Sequence, residues 1–268
     1  MAQTPGRARG DLPQRRSWFN WRRASPPRIL GLLAFHNEMR YLPGYFANIS
    51  QHVDGIIALD DRSTDGSGEF VASQANVLEL VRVTANERQR WDEPANHRML
   101  VQTAWRHHPD WLIAVDADER LERDFRRRAE REIRRAEGRG YGAYQVVLRE
   151  IWGRWDTYRA DGVWGQKRVA RFFKARRDHV FDDRLLHSQW APLNGIYGGR
   201  FPEADLIIYH LRMMHDRDRR IRRARYEQLD PDRRWQAIGY SYLTDEEGLR
   251  LEKLPRGREY VPPPPAQP

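Results

Sequence analysis

Trp111-Leu112-Ile113-Ala114-Val115-Asp116-Ala117-Asp118-Glu119 is an apolar run that ends abruptly in two carboxylates one residue apart. In an extended strand, residues i and i+2 face the same side. Asp116 and Asp118 are therefore expected to point into one pocket at the carboxyl end of a buried strand. Ligands bind at that edge in open α/β sheets. Two converging carboxylates suit a hard divalent cation that also holds a diphosphate. A bare D-x-D is short, and an acidic turn capping the next helix would read the same way. A second acidic loop upstream decides between the two.

Working back from this strand, residues 28–35 read as a strand, 38–51 as a helix with Pro43 near its start, and 55–59 as a second strand. Asp65-Gly66-Ser67 looks like the start of a helix over 69–74, followed by a strand over 77–83 and a helix over 95–107. This alternation predicts an α/β fold with a mostly parallel sheet and helices on both faces. Right-handed crossovers then place every strand-to-helix loop on one edge. Further on, 121–137 reads as a charged helix, 142–149 and 166–174 as strands of a less regular half, 205–209 as a short strand and 216–229 as a basic helix.

The loop after the second strand is Leu59-Asp60-Asp61-Arg62-Ser63-Thr64-Asp65-Gly66-Ser67. A carboxylate there can accept from the N–H of a uracil or guanine ring, or from ribose hydroxyls. Asp65 is expected to cap the next helix. The first loop, Phe35-His36-Asn37-Glu38, falls on the same edge, so three acidic or polar loops converge on one site.

In order and spacing, these pieces resemble family 2 glycosyltransferases of the GT-A fold. The matching parts are the strand ending in Asn37-Glu38, the Asp60-to-Gly66 loop and the Asp116-Ala117-Asp118-Glu119 block. The resemblance covers residues 28–125 and continues more loosely through 168–173 to Tyr209-His210-Leu211. It implies a GT-A-like Rossmann-type sheet with a nucleotide-sugar-binding half (28–125) and an acceptor-binding half (126–254) of the same domain. It implies that Asp61 holds the nucleotide base, that residues 34–37, Phe35 and Asn37 among them, line base and ribose, and that Arg98 approaches the diphosphate. Asp118 would bind Mn²⁺ or Mg²⁺ directly, Asp116 would hold ribose or the metal through water, and His210 would join the metal. The implied activity is metal-dependent transfer of a sugar, of the hexosyltransferase type and with inversion. The donor would be a nucleoside-diphosphate sugar and the acceptor a glycan, lipid-linked or small-molecule hydroxyl.

Such a transfer breaks the bond between an anomeric carbon and a diphosphate. A cation neutralises the charge that builds on the leaving group. An inverting enzyme also needs a base for the acceptor hydroxyl. Many relatives carry a His-Glu pair near residues 180–188, but here the pair reads His187-Ser188 and the carboxylate is missing. Asp183 is the favoured base, with Asp182 and His187 as alternatives; both acids could instead pair with nearby arginines. Of Trp152, Trp155, Trp164 and Trp190, one is expected to stack on substrate and the others to be core.

The chain carries 44 Arg but only 3 Lys (167, 174 and 253), and its net charge is +9. Residues 1–28 hold seven Arg against Asp11, so most of the excess lies in a segment expected to be disordered up to about residue 27. Trp18, Phe19 and Trp21 in that tail could make peripheral contact with an anionic membrane. Residues 255–268, with Pro262 to Pro265, read as an extended, unfolded tail. The basic run 123–139 suits a solvated helix with internal ion pairs. The run 212–225 could help hold an anionic acceptor or could be a solvated face. With no Cys there is neither a disulfide nor a thiolate metal site. No apolar stretch is long enough to span a membrane and no signal core follows the N-terminal arginines, so the expected location is cytoplasmic.

Other chemistries of paired acids fit less well. A nucleotidyltransferase would want a Gly-rich phosphate loop after the first strand. A dehalogenase-type phosphatase places its D-x-D after the first strand, whereas here it follows the fourth and Arg120 stands at the Thr/Val position. Glycosidase carboxylates flank a bond several ångströms across. The competing reading from another class is a non-catalytic polyanion-binding protein, on nucleic acid or an anionic membrane. No specific nucleic-acid-binding motif is evident.

Overall fold

The computed structural model describes residues 25–184 and 188–262. The N-terminal half runs β1 (Ile29–Phe35), α1 (Leu42–Ile49), β2 (Ile56–Asp61), α2 (Ser67–Ala72), β3 (Val77–Val83), α3 (Glu93–Ala104) and β4 (Trp111–Ala114). Next come β5 (Glu119–Leu121), α4 (Phe125–Arg139), β6 (Ala143–Glu150), β7 (Thr157–Arg159), α5 (Gly162–Gly165) and β8 (Arg168–Lys174). The chain closes with β9 (Glu203–His210), α6 (Asp216–Leu229) and β10 (Leu251–Lys253).

The main sheet has the order β3-β2-β1-β4-β8-β6-β9-β5. Strands β1 to β4 are mutually parallel where they pair. Strand β8 runs antiparallel to both β4 and β6, and β9 lies parallel to β6. This is the α/β, GT-A-like Rossmann-type sheet expected, with a regular parallel half and a mixed second half. Strand β1 is buried along its whole length, as a strand covered on both faces must be. Its residues alternate between two cores: Ile29, Leu33 and Phe35 pack with α1 and α4, and Leu30, Leu32 and Ala34 pack with α3.

Strand β5 is the main departure from the sequence pattern, which runs a helix from residue 121. Glu119–Leu121 instead pairs antiparallel with β9, Glu119 opposite His210, and α4 begins only at Phe125. Three residues are too few for periodicity to reveal a strand. Long-range contacts hold it: Asn48 Nδ2 donates to the Leu121 carbonyl (3.0 Å) and the Leu121 amide donates to Asn48 Oδ1 (2.7 Å).

The C-terminal segment also differs from the unfolded tail expected. Tyr260 is buried against Tyr209, with ring centroids 5.2 Å apart, and its hydroxyl donates to the Trp155 carbonyl (2.8 Å). Arg258 pairs with Glu122 and with Asp205 (2.6 Å). Arg258 and Tyr260 therefore dock this segment on the sheet, with β10 paired to β7 just before it. Among the described residues, no helix is long and apolar enough to cross a membrane.

Arg120 is buried, and burial lowers its pKa to about 10. Its guanidinium donates to the carbonyls of Ala117 (2.9 Å), Glu119 (2.7 Å) and Tyr41 (2.9 Å). It thereby braces the Asp116–Asp118 turn against the start of α1. Arg120→Met would leave these carbonyls unsatisfied, so it should lower stability by about 2–4 kcal/mol in urea unfolding; an unchanged midpoint would show that the brace is dispensable.

Candidate active site

The loops after β1 and β2 are zipped together. The Asn37 amide donates to Ser63 Oγ (3.0 Å), the Thr64 amide to Asn37 Oδ1 (2.7 Å) and the Glu38 amide to Ser67 Oγ (3.0 Å). Asp65 accepts from the amides of Met39 (3.1 Å) and Ser67 (3.0 Å), so it does bind the first turn of α2. Asn37 sits in the left-handed region at φ 57°, which Asn tolerates better than most residues.

Asp61 is fully buried and already has donors on both oxygens. Arg62 Nε lies 2.6 Å from Oδ1, while Arg88 Nη1 (3.3 Å) and Asn96 Nδ2 (3.0 Å) reach Oδ2. It thus anchors the loop that precedes α3, a role the sequence reading missed, and a base N–H would have to use a remaining lone pair. Phe35 needs a correction. Its side chain belongs to the core beneath β1, so only its backbone can line a ligand.

Asp116 and Asp118 are brought to the same edge, but not as residues of one strand face. Strand β4 ends at Ala114, and both acids lie in the turn that follows. They take different partners. Arg171 Nη2 of β8 lies 2.8 Å from Asp116 and 3.6 Å from Glu119. Asp118 is buried, receives Arg212 Nε on Oδ2, and holds the same oxygen 3.1 Å from His210 Nε2. The other arm of Arg212 pairs with Glu38. His210 Nδ1 pairs with Glu150, which also pairs with Lys167. Arg222 Nη1 of α6 stands 3.2 Å from His210 Nε2.

The electrostatics follow from this alternation. Burial works against the Asp118 carboxylate, but Arg212, His210 and Arg222 hold it well below the usual range. Burial would also lower His210, yet Glu150 and Asp118 outweigh it and raise the imidazole to about 9. Desolvation raises both Glu38 and Glu119 to about 7, against the pull of Arg212 and Arg171 respectively. Among the described residues, Arg171 Nη1 is buried beside these acids with no hydrogen-bond partner.

Asp118 Oδ2 and His210 Nε2 stand 3.1 Å apart; once the imidazole gives up the proton that Glu150 and Asp118 stabilise on it, the two would make a carboxylate–imidazole donor pair for a cation such as Mn²⁺. Among the described residues, no group of three or more acidic and histidine side chains converges as a full metal cage. A cation here would take its other ligands from a diphosphate and water, the usual arrangement for phosphate-bound divalent ions.

Arg98 and Asp183, given separate roles from the sequence, pair with each other at 2.6 Å, both well exposed. Arg98 also lies over the Phe181 ring, 4.7 Å from its centroid. Asp182 is buried and is taken up by Arg184 (2.6 Å) and the Gln189 amide (2.9 Å), so Asp183 is the freer carboxylate. His187 lies outside the described residues. Ser188, where the missing carboxylate would stand, is buried 3.1 Å from His97 Nδ1. Trp152, Trp164 and Trp190 are buried and Trp155 is exposed; Trp190 stacks on His97 with centroids 3.5 Å apart.

The basic run 212–225 is not a single solvated face. Arg219 lies on Trp152 and pairs with Glu246 (2.9 Å), and Arg220 pairs with Asp216 (2.6 Å). Arg212 and Arg222 turn inward to the site. Arg212 had a sequence signal, because it follows His210 by two positions and so shares its face if the strand continues. Glu150 had none: its place beside His210 comes from the β6–β9 register.

No protein-family model matches the chain. It is 26% identical over 247 residues to uncharacterized proteins of Mycobacterium tuberculosis and Mycobacterium bovis, covering 83% of this chain and 57% of each relative. The chain thus spans little more than half the length of the curated relatives it matches. Among solved structures, it is similar to Staphylococcus aureus TarS in complex with UDP-GlcNAc, at 12% identity and TM-score 0.38, over 47% of this chain and 36% of that one. Glucosyl-3-phosphoglycerate synthase from M. tuberculosis, in complex with Mn²⁺, UDP and glucosyl-3-phosphoglycerate, overlaps at 19% identity and TM-score 0.34, over 48% and 46% of the two chains. A further mycobacterial protein overlaps at 13% identity and TM-score 0.38, over 69% and 65%. The fold assignment rests on the sheet order and strand directions above, not on these overlaps.

Burial lowers the His97 pKa from 6.5 to about 3. Because the unfolded chain takes up this proton first, His97 contributes stability above pH 6.5 that is lost as pH falls toward about 3. The loss should run at about 1.4 kcal/mol per pH unit. In urea unfolding between pH 7 and 5, His97→Gln should show a shallower pH dependence than the wild type; equal slopes would contradict the assignment.

Proposed function

We propose that this chain transfers a sugar from a nucleoside-diphosphate sugar to a hydroxyl acceptor, with a divalent cation held between Asp118 and His210. One observation carries the reading: two residues 92 positions apart meet at 3.1 Å, on the sheet edge where the Asn37 and Asp61 loops also lie. When bound, the cation would neutralise charge on the leaving diphosphate as a Lewis acid. The remaining roles belong to the chain. Asp61 and the zipped loops receive base and ribose, and Asp116 receives ribose. The free Nη1 of Arg171 donates to a phosphate or ribose oxygen. Asp183 takes the proton of the acceptor hydroxyl as it attacks the anomeric carbon opposite the diphosphate, which inverts the centre. Arg98 positions Asp183 rather than the diphosphate.

The polyanion-binding reading has less support. Four of the six α6 arginines, Arg219, Arg220, Arg222 and Arg223, are taken up by internal partners, and the remaining basic excess is concentrated in residues 1–28.

Asp118→Asn should reduce sugar transfer by roughly 10²-fold or more with the circular dichroism spectrum retained; undiminished transfer would remove Asp118 from the site. Asp183→Asn should keep donor binding and lose transfer by roughly 10²- to 10⁴-fold. Transfer at the wild-type rate would assign the base elsewhere.

A further inference from the structure

We infer that Arg212 and Arg222 are resident counter-ions of the cation site and make cation and donor diphosphate bind together, each poorly alone. The inference rests on the donor reading above. It starts from the donor atoms themselves. Asp118 Oδ2 already receives Arg212 Nε, and His210 Nε2 has Arg222 Nη1 at 3.2 Å. The two atoms that suit a cation are thus covered by fixed positive charge. Neither guanidinium can be neutralised by deprotonation, since arginine stays charged.

A lone divalent cation entering here meets two guanidinium groups, finds only two protein donors, and must displace Arg212 from a buried carboxylate. A lone diphosphate meets the Asp118 and Asp116 carboxylates on the same edge and finds Arg212 already held by Asp118 and Glu38. Unlike-charged ligands entering together cancel these penalties, which weigh more in a site partly shielded from water. Arg212 is well placed for the exchange. One arm holds Asp118 and the other holds Glu38 at the end of the β1 loop, so it links the cation site to the nucleotide loop. A guanidinium freed from Asp118 matches phosphate oxygens as well as it matches carboxylates. The result is positive coupling, which linkage requires to be reciprocal: the nucleotide tightens the cation by the same factor as the cation tightens the nucleotide.

The test is Mn²⁺ binding by calorimetry to the full chain, alone and with each of UDP, GDP and dTDP. Wild type, Arg212→Gln and Arg222→Gln are compared, with thermal unfolding as the check on folding. In the wild type, one diphosphate should tighten Mn²⁺ by roughly 5- to 150-fold, the usual range of coupling between sites. Either arginine variant should bind Mn²⁺ alone more tightly than the wild type and gain less from the nucleotide. Equal Mn²⁺ affinity with and without a nucleotide that itself binds would overturn the inference and leave the donor reading standing. So would variants whose Mn²⁺ affinity matches the wild type. Failure of every nucleotide to bind, with or without Mn²⁺, would defeat the donor reading and this inference with it.

Discussion

A line of alternating charge runs from Glu38 through Arg212, Asp118, His210 and Glu150 to Lys167, and the site depends on it. Asp118, His210 and Glu150 are buried. An isolated charge at such depth would be costly, and each is tolerable only because a partner of opposite sign touches it. Removing one member would strand its neighbours. The line therefore fixes the turn after β4, the end of β9 and the end of β6 as one unit, and Arg120 braces that turn from behind.

The topology explains why the charges meet where they do. The parallel half delivers the ends of β1, β2 and β4 to one edge. The mixed half sends β6 and β9 in the same direction, so Glu150 and His210 arrive side by side in register. Strand β5 then returns antiparallel to β9 with Glu119 opposite His210. Neither half holds the candidate cation pair alone: Asp118 follows the last strand of the first, and His210 ends a strand of the second.

Much of this was legible in the sequence, unevenly and for physical reasons. The β1-to-β4 alternation was readable because each strand is a short apolar run closed by polar loop residues. Asp118 and His210 were readable through a family resemblance, and they do meet. A shared strand face does not bring Asp116 and Asp118 together, because the strand stops before both. Arg171 and Arg222 lay within basic segments whose spacing cannot show which members turn inward, whereas Arg212 carried a signal in its two-residue offset from His210. Glu150 and β5 depend on strand register, which a local pattern does not encode. The resemblance places Phe35 among the residues that line base and ribose, but the alternation of a doubly covered strand puts its side chain in the core.

The central claim is that this edge binds a nucleoside diphosphate through a divalent cation. Thermal unfolding with UDP, GDP, CMP and dTDP, each with and without Mn²⁺, tests it most directly. A ligand that binds only the folded chain stabilises it by about 2.7 kcal/mol at a hundredfold excess over its dissociation constant. The account predicts a rise in melting temperature with one diphosphate nucleotide, large only when Mn²⁺ is present. No shift with any nucleotide, or a full shift without Mn²⁺, would contradict it.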